Sequence, residues 1–304
     1  LRKAGFAQVD RVKVFGYGGL MQDEKLLFDV ESDAVQSQRV PDDLVEVSTL
    51  REGEQLLFWA EGTQRRTYDK TAGKWLHQNN YYSRFSYYFL TEGDTPLRVS
   101  SLAAVEEAAT TELDRVPFAA IWDEDEAGLY QGGRRMFDGH DFAMHNQLAF
   151  NVNVPDLAED AGELPVEVSF AAASSTSSTT ADIQLNGKRL GQLSASSFNT
   201  LTSSATLDTK TFRQRIQVGS NAFVVNTTAG NSARMDFVRI SCPRLLKVDD
   251  NPYSFSPQST GVTTLSVQSA ISSTRLWRIG QMGSPTVEVP RSSFADGRAT
   301  FTTD

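Results

Sequence analysis

A mainly-β chain of two β-sandwich or jelly-roll-like domains with few short helices is the fold class this sequence predicts. Three observations predict it. Short runs rich in β-branched and aromatic residues recur along the chain, each closed by Gly, Asp, Asn or Pro. From about residue 140 the chain turns Ser/Thr/Asn-rich and nearly loses helical periodicity. An Asn186-Gly187 pair flanked by alternating apolar residues is the signature of a two-residue hairpin.

"RVKVFG" at 11–16 reads as a strand, and the glycines of "RVKVFGYGGLM" pose a choice between a phosphate cradle and a turn. A dinucleotide fingerprint needs G-x-G-x-x-G ahead of a helix. Gly16 and Gly18 fill two places, but Met21 stands in the third. The stretch therefore reads as a strand-ending turn, using glycine's tolerance of positive φ, and no cofactor is expected. "LMQDEKLLFDV" at 20–30 is too short for periodicity to choose between strand and helix. "DDLVEVS", "EQLLFWAEG" and "YYSRFSYYFLTEG" read as strands. "SSLAAVEEAATTELDRV" carries Leu102, Val105, Ala109 and Leu113 near helical spacing, with Ser100 or Ser101 as caps, and is the best helix candidate.

Beyond "GLYQGGRRMFDGHDF" come "QLAFNVNVP", "LPVEVSFAAAS", "ADIQLNGKRLGQLS", "FRQRIQVGS", "NAFVVNTTA" and "RMDFVRISC". Short strands at this spacing point to a jelly-roll-type sandwich. The run from Ser174 to Thr180 reads as a polar loop or strand edge within it. "KVDDNPYSFSPQSTG" interrupts the pattern, and "VTTLSVQS", "STRLWRIG" and "PTVEVP" follow as strands. The domains expected are 1–132, 133–248 and a β tail, 249–304, that packs on the first domain or leads into a further one.

Lys and Arg total 29 against 38 Asp and Glu, a formal net charge of -9 over 304 residues. That balance argues against nucleic acid as the main partner. No apolar run approaches the roughly 20 residues of a membrane-spanning helix. The chain opens at Leu1 without a signal-peptide pattern, as a mature or trimmed segment would. Cys242 is the single cysteine, so no intramolecular disulfide forms. Its strand-like setting, "MDFVRISCPRLL", suits a buried structural thiol better than a nucleophile.

Three constellations could carry chemistry. Asp123, Glu124, Asp125 and Glu126 are adjacent carboxylates. A glycosidase pair is set by a separation in space, which adjacency in sequence does not establish, and the run lacks the EF-hand pattern. It reads as a solvated acidic loop. His140, Asp141 and His145 in "GHDFAMHN" could bind zinc, but no H-E-x-x-H or nearby cysteine supports it, and no metal site is expected. No G-x-S-x-G elbow occurs, so serine chemistry has no support. The aromatic group, Trp59, Tyr68, Trp75, Tyr81, Tyr82, Tyr87 and Tyr88, could fill a core between sheets or present rings to a sugar or protein. Trp59, Trp75, Tyr81 and Tyr82 are the candidate binding residues, and a carbohydrate-binding sandwich is the alternative functional reading they support.

The ordered series "RVKVFGYGGLM", "VPDDLVEV", "GEQLLFWAEGTQRRTYD" and "NNYYSRFSYYFLT" resembles the N-terminal region of the gingipain-like secreted cysteine peptidases, nearest their type IX secretion sortases. "WDEDEAGLYQGGRRMFDGHDF", "RMDFVRISCPRLL" and "RLWRIGQMGSPTVEVP" are similar to later family segments. There are departures: Met136 stands where the family favours Trp, Asp138-Gly139 where it favours Gly-Glu, and Arg278 and Gly280 replace the Asp and Thr of its L-W-D-I-T segment. The resemblance implies a non-catalytic module on the outer-membrane surface of a Bacteroidetes-type cell. Its implied partners are a downstream peptidase domain of the same polypeptide and secretion-system outer-membrane proteins or cargo. In that family the catalytic His and Cys lie in a caspase-like domain downstream of these segments. None of His77, His140, His145 or Cys242 matches those positions, so no catalytic residue carries over.

Overall fold

The computed structural model describes residues 1–19, 44–69, 71–129, 135–174, 177–197, 205–228, 232–249, 252–280 and 283–304. The 20–30 stretch, readable as strand or helix, lies outside them. The protein is mainly β: among the described residues the helices are two three-residue 3-10 turns, Arg2–Ala4 and Val9–Arg11. The chain divides into two compact units. One comprises Leu1–Thr67, Leu76–Leu113 and Ser259–Asp304; the other comprises Tyr68–Trp75 and Asp114–Gln258.

The first nine strands are β1 (Val12–Gly18), β2 (Glu46–Val47), β3 (Thr49–Glu52), β4 (Gln55–Phe58), β5 (Gln64–Asp69), β6 (Lys74–Asn79), β7 (Tyr87–Glu92), β8 (Ser100–Ser101) and β9 (Thr111–Leu113). β1 lies between β2 and β7, antiparallel to both. Its alternation is the reason it holds: Val12 and Val14 are fully buried, while Lys13 and Phe15 face the other way, half-buried. β3 and β4 form one hairpin, and β5 and β6 a second two-stranded pair.

The second unit is a sandwich. Its strands are β10 (Arg115–Trp122), β11 (Gln147–Val154), β12 (Glu163–Ala173), β13 (Thr179–Leu185), β14 (Lys188–Ala195), β15 (Thr206–Arg215), β16 (Gly219–Thr227) and β17 (Ser232–Leu245). They form two antiparallel sheets, ordered β10-β17-β12-β15 and β11-β16-β13-β14. Alternate residues of each sheet fill one core. Val166, Val168, Met235 and Ile240 come from the first sheet, and Ile183, Leu185, Phe223 and Val225 from the second. Asn186 and Gly187 take positive φ of 50° and 76° in the β13–β14 turn, the conformation a type I′ hairpin requires.

Two buried arginines on β17 have matched anions. Arg239 pairs with Glu167, and Arg244 lies 3.0 Å from Asp156 with the Tyr253 ring 3.7 Å from its guanidinium carbon. A buried guanidinium without such partners would be strongly destabilising.

The chain then returns to the first unit through β18 (Thr263–Val267), β19 (Leu276–Arg278), β20 (Val287–Val289), β21 (Arg291–Ala295) and β22 (Arg298–Thr303). β18 pairs parallel with β9, and β20 parallel with β8. These pairings replace the helix expected around Leu102 to Leu113. Leu102 donates its amide to Glu288 O and Thr110 its amide to Val262 O, each at 2.9 Å, so returning strands claim both ends of the segment. Between these anchors the residues are mostly exposed, and the small alanines offer too little burial to pull the backbone into a helix.

Ile183 is fully buried at the centre of the sandwich. Ile183→Ala is expected to cost about 2–5 kcal/mol, read as a lower urea midpoint at unchanged slope for the second unit.

Candidate functional site

The glycine cluster is where the most distinctive surface begins. A β-carbon on Gly16 would lie 2.7 Å from Tyr88 Cδ1 and 2.8 Å from the Tyr87 carbonyl oxygen. Only a glycine lets the Tyr88 ring settle on β1 there. Gly16 also spends its amide on Val45 O at 3.0 Å, so that amide is not available to cradle a phosphate. Tyr88 is fixed further by Glu61, whose amide donates to its hydroxyl at 2.8 Å, and by Phe58, ring to ring at 5.2 Å. Burial, the larger cause, raises the Tyr88 phenol above its ordinary pKa.

Seating Tyr88 forces its neighbours outward, because successive side chains on a strand point to opposite faces. Tyr87 is 64% and Phe89 55% exposed. Phe89 pairs in register with Phe15, which puts both rings on the same face of the sheet. Just before the strand, Phe85 and Tyr82 are also strongly exposed. The loop that carries them is built from side-chain bonds. Asn80 accepts the amides of Tyr82 and Ser83, and the Ser83 hydroxyl bonds both the amide and the carbonyl of Phe85. Asn80 also donates to Gly19 O at 3.0 Å, tying the loop to the glycine turn. The result is an aromatic surface of Tyr82, Phe85, Tyr87 and Phe89 on an ordered scaffold, the kind of patch that marks an interaction site.

Of the residues singled out from sequence, Trp59 follows β4 half-buried, Tyr81 is half-buried, and Tyr82 is 73% exposed, all in the first unit. Trp75 belongs to the second unit, 8% exposed, with its ring edge-on to Tyr68 at 5.3 Å. Phe85 and Phe89 were not singled out. The signal that could have found them is the period-two run Phe85, Tyr87, Phe89, which alternates with half-buried Ser86 and Tyr88.

The histidine loop is organised around structure. Asp141 accepts Ala143 N at 3.0 Å and Ser232 Oγ at 2.9 Å, with Arg234 3.6 Å away. Burial pushes its pKa up, but these partners together hold it below the ordinary carboxylate range. Asp141 is thereby turned to β17, while the rings of His140 and His145 stand 6.1 Å apart. Among the described residues no three His, Cys, Asp or Glu side chains gather as a metal site requires. Cys242 is 5% exposed, and burial pushes its thiol up to about 12.

No protein-family model and no curated protein matches the sequence. Among solved structures, the crystal structure of dimeric latent PorU from Porphyromonas gingivalis aligns over 99% of this chain with a TM-score of 0.77 and 21% identity. The chain has the fold of that stretch of PorU. It spans 28% of the PorU chain. A family 35 carbohydrate-binding module from Clostridium thermocellum aligns over 42% of this chain and 91% of its own, at TM-score 0.26 and 16% identity.

Gly16→Ala is expected to lower stability by about 1–3 kcal/mol, the usual range for overpacking, and to raise the exposure of Tyr88 to solvent quenchers. The Cys242 thiol keeps its proton in the folded chain to about pH 12, whereas in an unfolded chain it ionises near ~8.5. Its contribution is therefore absent below that pH, and stability falls as pH rises above it, by up to about 1.4 kcal/mol per unit. Unfolding free energies from pH 7 to 10 should show a shallower slope for Cys242→Ala than for the wild type.

Proposed function

We propose that this chain is a non-catalytic N-terminal module of a secreted, cell-surface gingipain-like cysteine peptidase or sortase. It orients a downstream catalytic domain of the same polypeptide and offers its aromatic surface to a partner or to cargo. The observation that carries this reading is the PorU alignment, which takes in nearly the whole chain yet only 28% of PorU. The ordered motif series of the sequence supports it independently. So does the state of the one cysteine, whose buried thiol lacks the lowered pKa a nucleophile needs.

The test is the size of the native protein. An antibody against these residues, used on surface fractions of the source cells, should detect a band well above 33.5 kDa. That band should hold a cysteine labelled by an alkylating probe under native conditions. A native band at 33.5 kDa would overturn the module reading.

A second reading, glycan binding, is favoured by the open ring of Tyr82, 73% exposed. Quenching of intrinsic fluorescence by a glycan, lost on Tyr82→Ala, would support it; an unchanged spectrum across a broad glycan panel would remove it.

A further inference from the structure

Asn186 and Gly187 close the β13–β14 hairpin, and both residues are exposed. The Asn186 side chain is nonetheless fully engaged. Its Oδ1 accepts the amide of Ala222 at 2.9 Å, and its Nδ2 donates to Asn221 Oδ1 at 3.0 Å. The Asn186 main-chain amide donates to Ala222 O at 2.8 Å. The residue thus carries the β13–β16 ladder one step beyond the Leu185–Phe223 pair, with its side chain standing in for a main-chain carbonyl.

Asn221 decides which way round the Asn186 amide must stand. It is fully buried on β16. Its Nδ2 donates to the carbonyls of Gln217 and Gly219, at 2.9 and 3.1 Å, and its Oδ1 accepts the Gln217 amide at 3.1 Å. Main-chain groups therefore hold the Asn221 oxygen toward Asn186, and a flip of the Asn221 amide would break those bonds. Only a group that accepts with one atom and donates with the other satisfies both Ala222 N and Asn221 Oδ1. An amide does this. A carboxylate, which only accepts, would set an oxygen against an oxygen.

An asparagine followed by glycine carries its own modifying chemistry. Gly187 has no β-carbon to keep its nitrogen from Asn186 Cγ. Attack forms a bond from Gly187 N to Cγ and breaks the Cγ–Nδ2 bond, and Nδ2 leaves as ammonia with the proton from Gly187 N. Water then opens the five-membered imide at either carbonyl, giving aspartate or isoaspartate. In the folded hairpin Oδ1 and Nδ2 are both held on β16, which stops Cγ from turning to the Gly187 nitrogen.

We propose that Asn186 is a self-modification site, guarded by Asn221 and Ala222 while the sandwich is folded and released when the end of β13 leaves β16. The change is one-way. Either product lacks the Nδ2 donor that Asn221 requires, and isoaspartate also inserts a methylene into the main chain of a two-residue turn. A sandwich that has stayed open long enough therefore closes less well, and the hairpin keeps a chemical record of the opening.

The full chain is held in mildly alkaline buffer with and without urea, and the peptide containing Asn186 is read by mass spectrometry for replacement of NH2 by OH. Conversion in the folded chain should be at least about tenfold slower than in urea, because it must wait for local opening. Asn221→Ala should speed conversion in the folded chain by about tenfold. Asn186→Asp should lower the urea midpoint of the second unit below that of the wild type. That deficit should shrink as pH falls through ~3.9, where the carboxyl regains a proton to donate to Asn221. After long exposure to urea and refolding, the wild type should show a lowered midpoint. Asn186→Gly, which cannot form the ring, should show an unchanged one. Equal conversion in folded and unfolded chains overturns the guard, and decides the matter even where Asn221→Ala does not fold. An Asn186→Asp midpoint equal to the wild type's overturns the one-way step. No conversion in urea, or equal losses in wild type and Asn186→Gly, overturns the site itself.

Discussion

The second unit depends on the double pairing of β17. This strand runs antiparallel to β10 on one edge and to β12 on the other, which makes it one of the two interior strands of its sheet. Its side chains serve both functions of such a position. Ala233, Met235, Val238 and Ile240 enter the core of the sandwich, while the buried Arg239 and Arg244 reach half-buried carboxylates on other elements. An arginine there is tolerated only because a carboxylate arrives with it, from Glu167 on β12 and from Asp156 after β11. The histidine loop is fastened to the start of the same strand through Asp141 and Ser232. Core, ion pairs and loop therefore share one register, and a slip by one residue would disrupt all three.

The first unit is held by a different constraint. Its late strands β18 and β20 lie parallel to the early strands β9 and β8. Parallel partners need a long crossover between them. Here the crossover includes everything from β10 to β17. The unit is thus discontinuous in sequence although each of its sheets is an ordinary small ladder. Within it, the packing of Tyr88 on Gly16 decides the display of the neighbouring aromatics. The ring that goes in dictates which rings stay out.

Much of this was legible in the sequence. The strands of the sandwich announce themselves by alternation, and Asn186-Gly187 marks its hairpin through the positive φ that both residues adopt. The segment around Leu102 was not legible as extended, because its local composition favours helix and its hydrogen-bond partners, Glu288 and Val262, lie more than a hundred residues away in the chain. Pairing at that distance leaves no local trace. The aromatic surface was half legible. Crowded tyrosines signalled a special region, but whether Tyr87 or Tyr88 turns inward is decided by the bare backbone of Gly16 on another strand. Trp75, a large ring in an alternating run, gave no local sign of being buried at 8% exposure.

The discontinuous first unit also has a consequence in time. A ribosome adds residues at about 5–20 per second, so the stretch between Leu113 and Ser259 takes on the order of ten seconds to emerge. Throughout that interval β8 and β9 exist without the strands that complete their sheets, while the sandwich can assemble from contiguous chain. The nascent protein therefore carries a finished domain behind an unfinished one. Its short early pairings, at Ser100–Ser101 and Thr111–Leu113, are thus the last to be completed.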